Sequence, residues 1–285
     1  MTSASATDPA ATGATATPAD DRLVPAADEE FGGQYPLGKI LTIWAVVAAP
    51  MGLIMWWVVP QLVVPRSDFP GLATLVLLTG GLVWQFVVAA ALLAREVRPF
   101  TWRNLRRRLW LTAPRHPRTG APSRWLLLWG LAIAVVLLVV DTLAPLGFLD
   151  RAFVRAFPAV AAPEHGLIEN LVRPQIVGQW WVLGVVVTLV AFNYLLGEEL
   201  LFRAVLLPKM RGVFGRWDVV ANGVLFATYH LHLLWGVPSQ LFRDWVYAWA
   251  MRRYRSWWVS VVVHGVDALV LLVLFPLAIA GAVTA

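Results

Sequence analysis

The chain has no cysteine and very little charge. The first absence removes disulfides, a thiolate metal site and a cysteine nucleophile. The second bears on the class of protein. Charged residues make up 14% and hydrophobic residues 59%, against roughly 25% and 45–50% in a soluble domain. So few polar residues cannot cover that much apolar surface in water, so a bilayer must serve as solvent for much of the chain. No repeat with a period of tens of residues is present. Bulky apolar side chains are also scarce in the first thirty or so residues, which are mostly Ala, Thr, Pro, Asp and Glu. Such a segment cannot bury enough surface to offset its conformational entropy, and 1–35 is expected to be a disordered acidic tail. It lacks the basic start and short apolar core of a signal peptide, so the first span is expected to be retained as a signal anchor.

What the chain has is long apolar runs and sixteen tryptophans, a residue favoured at the membrane–water boundary. A helix needs about 20 apolar residues to cross the hydrocarbon core. On that criterion spans are expected near 40–64, 72–94, 125–143, 180–207, 219–235, 237–250 and from 257 to the C-terminus. The sixth is short and carries Arg243 and Asp244. The net charge of +6 is concentrated between spans, which points to topology and anionic lipid headgroups, with no nucleic-acid partner. The 95–124 loop holds Arg98, Arg103, Arg106, Arg107, Arg108, Arg115 and Arg118 against one acid, Glu96. The positive-inside rule makes that loop and the N-terminus cytoplasmic. The fold class is therefore all-α, a polytopic bundle of about seven spans in a cell membrane. Its parts are the tail, N-terminal helices over 36–143, an extracytoplasmic loop over 144–179 with a short helix around 149–157, and a C-terminal domain over 177–285.

Ionisable groups at the centre of a span cost about 2.5–3.5 kcal/mol each, so they persist where they pair or work. The N-terminal spans carry none that suggest chemistry. In the fourth expected span, Glu199 and Arg203 stand four apart with the acid first, the favourable helical ion pair. Glu198 lies about 100° around the helix with no local cation, and a carboxylate in a low-dielectric site suits a general base. The structural alternative is that both acids sit in a wet region as solvated charges. His230 and His232 are two apart and face different ways on a helix, so at most one enters a given site. His264 and Asp267 are three apart, so Asp267 can orient the imidazole. A packed histidine and a structural His–Asp pair are the plain alternatives. Together, one unpaired Glu and two His in neighbouring apolar helices suit a polar cavity in which Glu takes a proton from water and His donates to an oxyanion or leaving amine.

Glu198-Glu199-x-x-x-Arg203, Phe226-x-x-x-His230 and His264 in a final helix resemble, in order, the motifs of the CPBP intramembrane proteases. That family includes CAAX prenyl endopeptidases and bacteriocin-immunity proteins. The resemblance covers roughly 177–272 and implies a CAAX-protease-like core in the C-terminal half. It implies that Glu198 activates water, that His230 and His264 orient water and stabilise the tetrahedral intermediate, and that Glu199–Arg203 is a structural pair. The family places Asn or Asp four residues after the last His; here that position is Ala268, with Asp267 one residue earlier. Motifs of other intramembrane proteases, G-x-S-x-G, G-x-G-D and H-E-x-x-H, are absent. No obligatory cofactor is expected; a metal is left unknown, with zinc on Glu198, His230 and His264 as the set that would bind one. The expected partners are the lipid bilayer and a membrane-associated protein or peptide substrate. Two rivals stand beside the protease: a catalytically silent immunity or peptide-binding relative, motivated by Ala268, and a proton-coupled transporter. The sequence leaves oligomeric state open.

Overall fold

The structure, a computed structural model, describes residues 32–143 and 146–283. Most of the expected tail, 1–31, lies outside them. The described residues form helices and no strand. In chain order the helices are α1 (Leu37–Arg66), α2 (Pro70–Glu96), α3 (Trp102–Arg108), α4 (Leu126–Leu143), α5 (Gly147–Ala156), α6 (Trp181–Lys209), α7 (Asp218–Tyr229), α8 (Val237–Tyr254), α9 (Trp257–Gly265) and α10 (Ala268–Ile279). Three of these, α1, α2 and α6, are long and apolar enough to cross a membrane. The pair α9 and α10, bent by 42° at its joint, makes a fourth if taken as one span. The protein is a helical membrane protein. Its outward faces carry exposed Trp57, Trp125, Trp129, Val136 and Val273, as a lipid-facing surface does.

Apolar composition makes these segments helical, because a backbone in lipid must bond within itself. Two of the long helices are nonetheless irregular. In α1, Pro60 cannot donate a hydrogen bond, and the chain from Ile54 to Val63 is wound wide, in i→i+5 turns. In α6, the segments Phe192–Leu196 and Glu199–Leu206 are wound the same way, and Leu207–Lys209 closes in a tight turn. Gly197 joins the two wide segments. Its N–H donates to Phe192 O at 2.6 Å, and a Cβ there would stand 2.5 Å from that oxygen and 3.0 Å from Leu82 O on α2. Only glycine lets α2 and α6 approach this closely.

The end of α6 leaves carbonyls without helical partners, and scattered pieces of the chain supply the donors. Arg108, from the arginine loop, donates to Ala204 O at 2.8 Å and Val205 O at 3.0 Å, and also pairs with Glu96 at 2.9 Å. Arg252 donates to Leu207 O at 2.9 Å and Gln34 to Pro208 O at 3.0 Å. Tyr35 N–H reaches Lys209 O at 2.9 Å. The last residues of the expected tail are thus packed onto α6, and Tyr35 is buried. Its phenol is pushed above its ordinary pKa, first by burial and then by the Glu96 carboxylate that accepts its hydrogen bond.

The expected fifth span, 219–235, is broken. Helix α7 stops at Tyr229, and the chain continues through tight turns over Leu231–Gly236. Helix α8 runs four residues past the expected 250. Near its start, Ser239 N–H donates to Asp150 of α5 at 2.9 Å, which ties the loop helix to the bundle. Helices α7 and α8 meet at Gly223, where a Cβ would stand 2.5 Å from Trp245 Cα.

Candidate active site

The charged residues of α6 lie inside the bundle. Glu198 is 2% exposed, and Glu199 and Arg203 are fully buried. Arg203 Nε stands 3.5 Å from Glu199 Oε1. The guanidinium also donates to Asn222 Oδ1 at 2.7 Å and lies over the Phe226 ring, 4.2 Å from its centroid. Asn222 is fixed in turn by donating to Phe202 O at 2.8 Å. This chain of contacts satisfies the buried cation on two sides, as a charge in an apolar bundle requires.

Glu199 has further partners. Ser260 Oγ donates to its Oε2 at 2.5 Å, and His264 Nδ1 donates to its Oε1 at 3.1 Å. Both come from α9, where they stand four apart on one face. The carboxylate oriented on His264 is therefore Glu199. Asp267 follows His264 across a joint bent by 42°. Asp267 is partly exposed. Ala268 is buried as the first residue of α10. The His264 ring stacks on Tyr247 at 4.6 Å and meets Tyr194 edge-on at 4.8 Å.

Glu198 meets a different histidine. His230 Nε2 stands 3.8 Å from Glu198 Oε1. His230 Nδ1 lies 2.9 Å from Phe226 O, and a carbonyl only accepts, so Nδ1 carries the proton and the Nε2 lone pair faces the carboxylate. His232 lies past the end of α7 with its ring 5.5 Å from His230, and it is buried. Only His230 faces Glu198, although the break at Tyr229, and not opposite faces of one helix, separates the two. Tyr229 is buried beside the site, and its hydroxyl accepts from Gln85 Nε2 of α2. With its amide turned so that nitrogen faces the acid, Asn193 donates to both Glu198 oxygens at 2.8 and 2.9 Å. Asp244 of α8 is also buried beside the site, and its backbone carbonyl accepts from Arg203 at 3.5 Å.

The site therefore has two halves. One is Glu198 with His230, and the other is Glu199 with His264, Ser260 and Arg203. Adjacency in sequence and the wide turns of α6 hold the two acids side by side. Asn193, Asn222, Tyr229 and Ser260 did not figure among the residues expected from sequence. Ser260 and Asn222 were legible in principle, each four residues ahead of a motif residue. Asn193 was not: it precedes Glu198 by five, about 140° around a regular α-helix. No group of three His, Cys, Asp or Glu side chains that could hold a metal ion stands among the described residues. An apolar cavity of about 160 Å³ lies elsewhere, among Met55, Leu75, Leu78, Val186, Leu271 and Phe275. It contains none of these polar groups and cannot host their chemistry.

Among the described residues, the helices bring acids and histidines together inside an apolar bundle. Residues 177–270 match the family model described as Rce1-like, a type II CAAX prenyl endopeptidase. The match covers roughly a third of the chain and includes every motif residue from Glu198 to Asp267. It supports a CAAX/CPBP-family membrane protease domain in the second half of the protein. Comparison with curated proteins and with solved structures gave no match.

Proposed function

We propose that this protein is an intramembrane endopeptidase that hydrolyses a peptide bond in a membrane-associated protein or peptide. The observation that carries the reading is that Glu198 Oε1 and the His230 Nε2 lone pair, both acceptors, face each other at 3.8 Å inside an apolar bundle, where a water would donate to both. A water admitted between that pair and the substrate carbonyl loses a proton to Glu198 and attacks the carbonyl carbon. His264, oriented through Nδ1 by Glu199, presents Nε2 to the oxyanion or the departing amine. In this reading Glu199 does more than balance Arg203: it sets the tautomer and direction of His264. The mechanism in this reading is glutamate-dependent, with the side chains activating water directly. Adding or chelating zinc is expected to leave activity unchanged.

We further propose that the chain crosses the bilayer seven times with the N-terminus in the cytoplasm. The helices α4, α7 and α8 complete the spans that length and hydropathy do not single out. The arginine-rich loop then lies on the cytoplasmic side, and α5 lies outside.

A second reading is favoured by one observation. Ala268 stands where the family carries an oxyanion donor, and it is buried and apolar. A silent relative that binds a peptide without cutting it would have this feature. A survey of peptide termini in membranes separates the two, comparing cells expressing the wild type with cells expressing Glu198→Ala at matched levels. Termini that appear with the wild type and vanish with Glu198→Ala are expected, and they would name the substrate. Equal termini, with His264→Ala likewise without effect, would favour the silent relative.

A further inference from the structure

The 95–124 loop holds one acid, Glu96, and that acid is engaged inside the fold, where Arg108 pairs with it at 2.9 Å and the Tyr35 hydroxyl donates to it. The outer side of the loop is different. Arg98, Arg103 and Arg106 are exposed beside two bare aromatic rings, Phe100 at 63% and Trp102 at 68% exposure. On α3, Trp102, Arg103 and Arg106 fall within about 100° of one another, while Arg108 and Leu109 at its end are buried. Guanidinium groups interleaved with aromatic rings are the composition of a surface that lies in the headgroup layer. The depth agrees. Helix α2 has 27 residues, so it is about 40 Å long, against a hydrocarbon core of about 30 Å. Its last turn, where the loop begins, therefore reaches the headgroups.

The inner side of the loop grips the two helices that carry the candidate site. Arg108 donates to Ala204 O and Val205 O of α6, just past Arg203. At the start of α9, Trp257 N–H donates to Trp110 O at 3.1 Å and Ser256 Oγ to Thr112 O at 2.7 Å, about one turn ahead of Ser260. Trp110 itself has a φ of 54°, a left-handed conformation unfavourable for any residue with a Cβ, and these contacts hold it there.

We propose that the outer face of α3 with the Phe100 turn is a binding surface for the anionic phospholipid headgroups of the bilayer, and that lipid bound there steadies α6 and α9 through the contacts on the inner face. The arginines donate to headgroup phosphates, and Phe100 and Trp102 enter the acyl boundary, which a free anion in water does not offer. The surface stands on its own geometry; its effect on cleavage rests on the proteolytic reading.

Hydrogen–deuterium exchange of the purified protein in nanodiscs tests the surface without any substrate. The discs hold phosphatidylcholine alone, or phosphatidylcholine and phosphatidylglycerol at about 3:1, the second lipid supplying a negative surface potential. In the wild type, phosphatidylglycerol is expected to slow amide exchange over 97–112, 199–209 and 255–264. The double variant Arg98→Gln, Arg103→Gln should exchange like the wild type in phosphatidylcholine and lose the response, because two charges at about 1 kcal/mol each weaken binding roughly 30-fold. Arg66→Gln, at the other end of α1 from Tyr35, removes a charge elsewhere and should keep the response. No slowing over 97–112 in the wild type overturns the surface, and an equal loss in Arg66→Gln overturns it in favour of bulk charge. Slowing reproduced by inorganic phosphate in phosphatidylcholine overturns the lipid as its occupant. Slowing confined to 97–112 overturns the link to α6 and α9. Cleavage is read separately, in cells at matched protein levels, as the yield of Glu198-dependent termini. The double variant is expected to lower that yield severalfold, and an unchanged yield overturns the effect on cleavage. Absence of such termini even with the wild type would overturn the proteolytic reading alone, and the exchange result would still decide the surface.

Discussion

Arg203, His264 and Ser260 converge on the Glu199 carboxylate at 3.5, 3.1 and 2.5 Å, so its replacement is expected to act on both stability and activity. Glu199→Gln leaves Arg203 buried without its counter-charge. Breaking a buried pair from one side costs about 3–5 kcal/mol, and a lower yield of folded protein with earlier thermal aggregation in detergent is the expected outcome. Arg203→Lys is not a mild change. A single ammonium cannot serve Glu199 and Asn222 together while lying flat over Phe226, and aggregation should again come earlier. Glu198→Gln differs. It keeps the shape and one acceptor oxygen, so the variant should be close to the wild type in stability while Glu198-dependent cleavage falls roughly 10²–10⁴-fold, the usual share of a general base. A thermal scan and the terminus survey on the same preparations separate the two acids.

At the scale of elements, the site depends on how closely helices approach. Gly223 lets α7 lie against the backbone of α8, with Trp245 Cα 2.5 Å from where a Cβ would be. Gly223→Ala must push the helices apart. Overpacking of this kind typically costs about 1–3 kcal/mol, and the displacement carries Asn222 and Phe226 away from Arg203. A clear drop in melting temperature together with loss of cleavage is expected, whereas Gly184→Ala, where a Cβ meets nothing within 4 Å, should change neither. The wide winding of α6 has an equally local effect. It turns Asn193 toward Glu198 across five residues, and it frees carbonyls at Ala204 and Val205 that Arg108 then takes up. Arg108→Met is accordingly expected to destabilise α6 and lower thermal stability. Arg107→Met, on the exposed side of the same short helix, should have a smaller effect.

The whole molecule is organised by the bilayer. The absence of cysteine makes single-cysteine accessibility mapping direct, since no background thiol needs removal. The seven-span topology is tested by cysteines placed at Arg118 and at Glu164. An impermeant reagent should label the first only from the cytoplasmic side and the second only from the outside. Labelling of both positions from one side would remove a span between them and revise the count. The arrangement also explains why polar chemistry gathers where it does. Arg203, Glu199 and His264 lie where α6, α7, α8 and α9 meet, away from lipid, and the exposed surface of α4 is left to Trp125, Trp129 and Val136.

Composition and apolar run length by themselves determined that the protein is helical and lives in a membrane, because few charges and long apolar segments admit no other solvent. The sequence also marked Glu198, Glu199, Arg203, His230 and His264, because ionisable groups stand out against an apolar background and are costly unless used. Within one regular helix its spacing could be read physically: Glu199 with Arg203 is an i,i+4 pair, and Ser260 with His264 is another. What only the tertiary structure decided lies where the helix is not regular or where contacts cross between helices. The imidazole of His264 is held through Nδ1 by Glu199, a contact from α9 to α6. The break at Tyr229 separates His230 from His232, and the wide turn in α6 brings Asn193 onto Glu198. Gln85 meets Tyr229 from a span that had looked chemically silent, since a neutral amide does not stand out by charge and its partner lies 144 residues away. A period along one helix cannot encode such contacts; they follow from which backbones can approach at Gly197 and Gly223, and that is a property of the packed bundle.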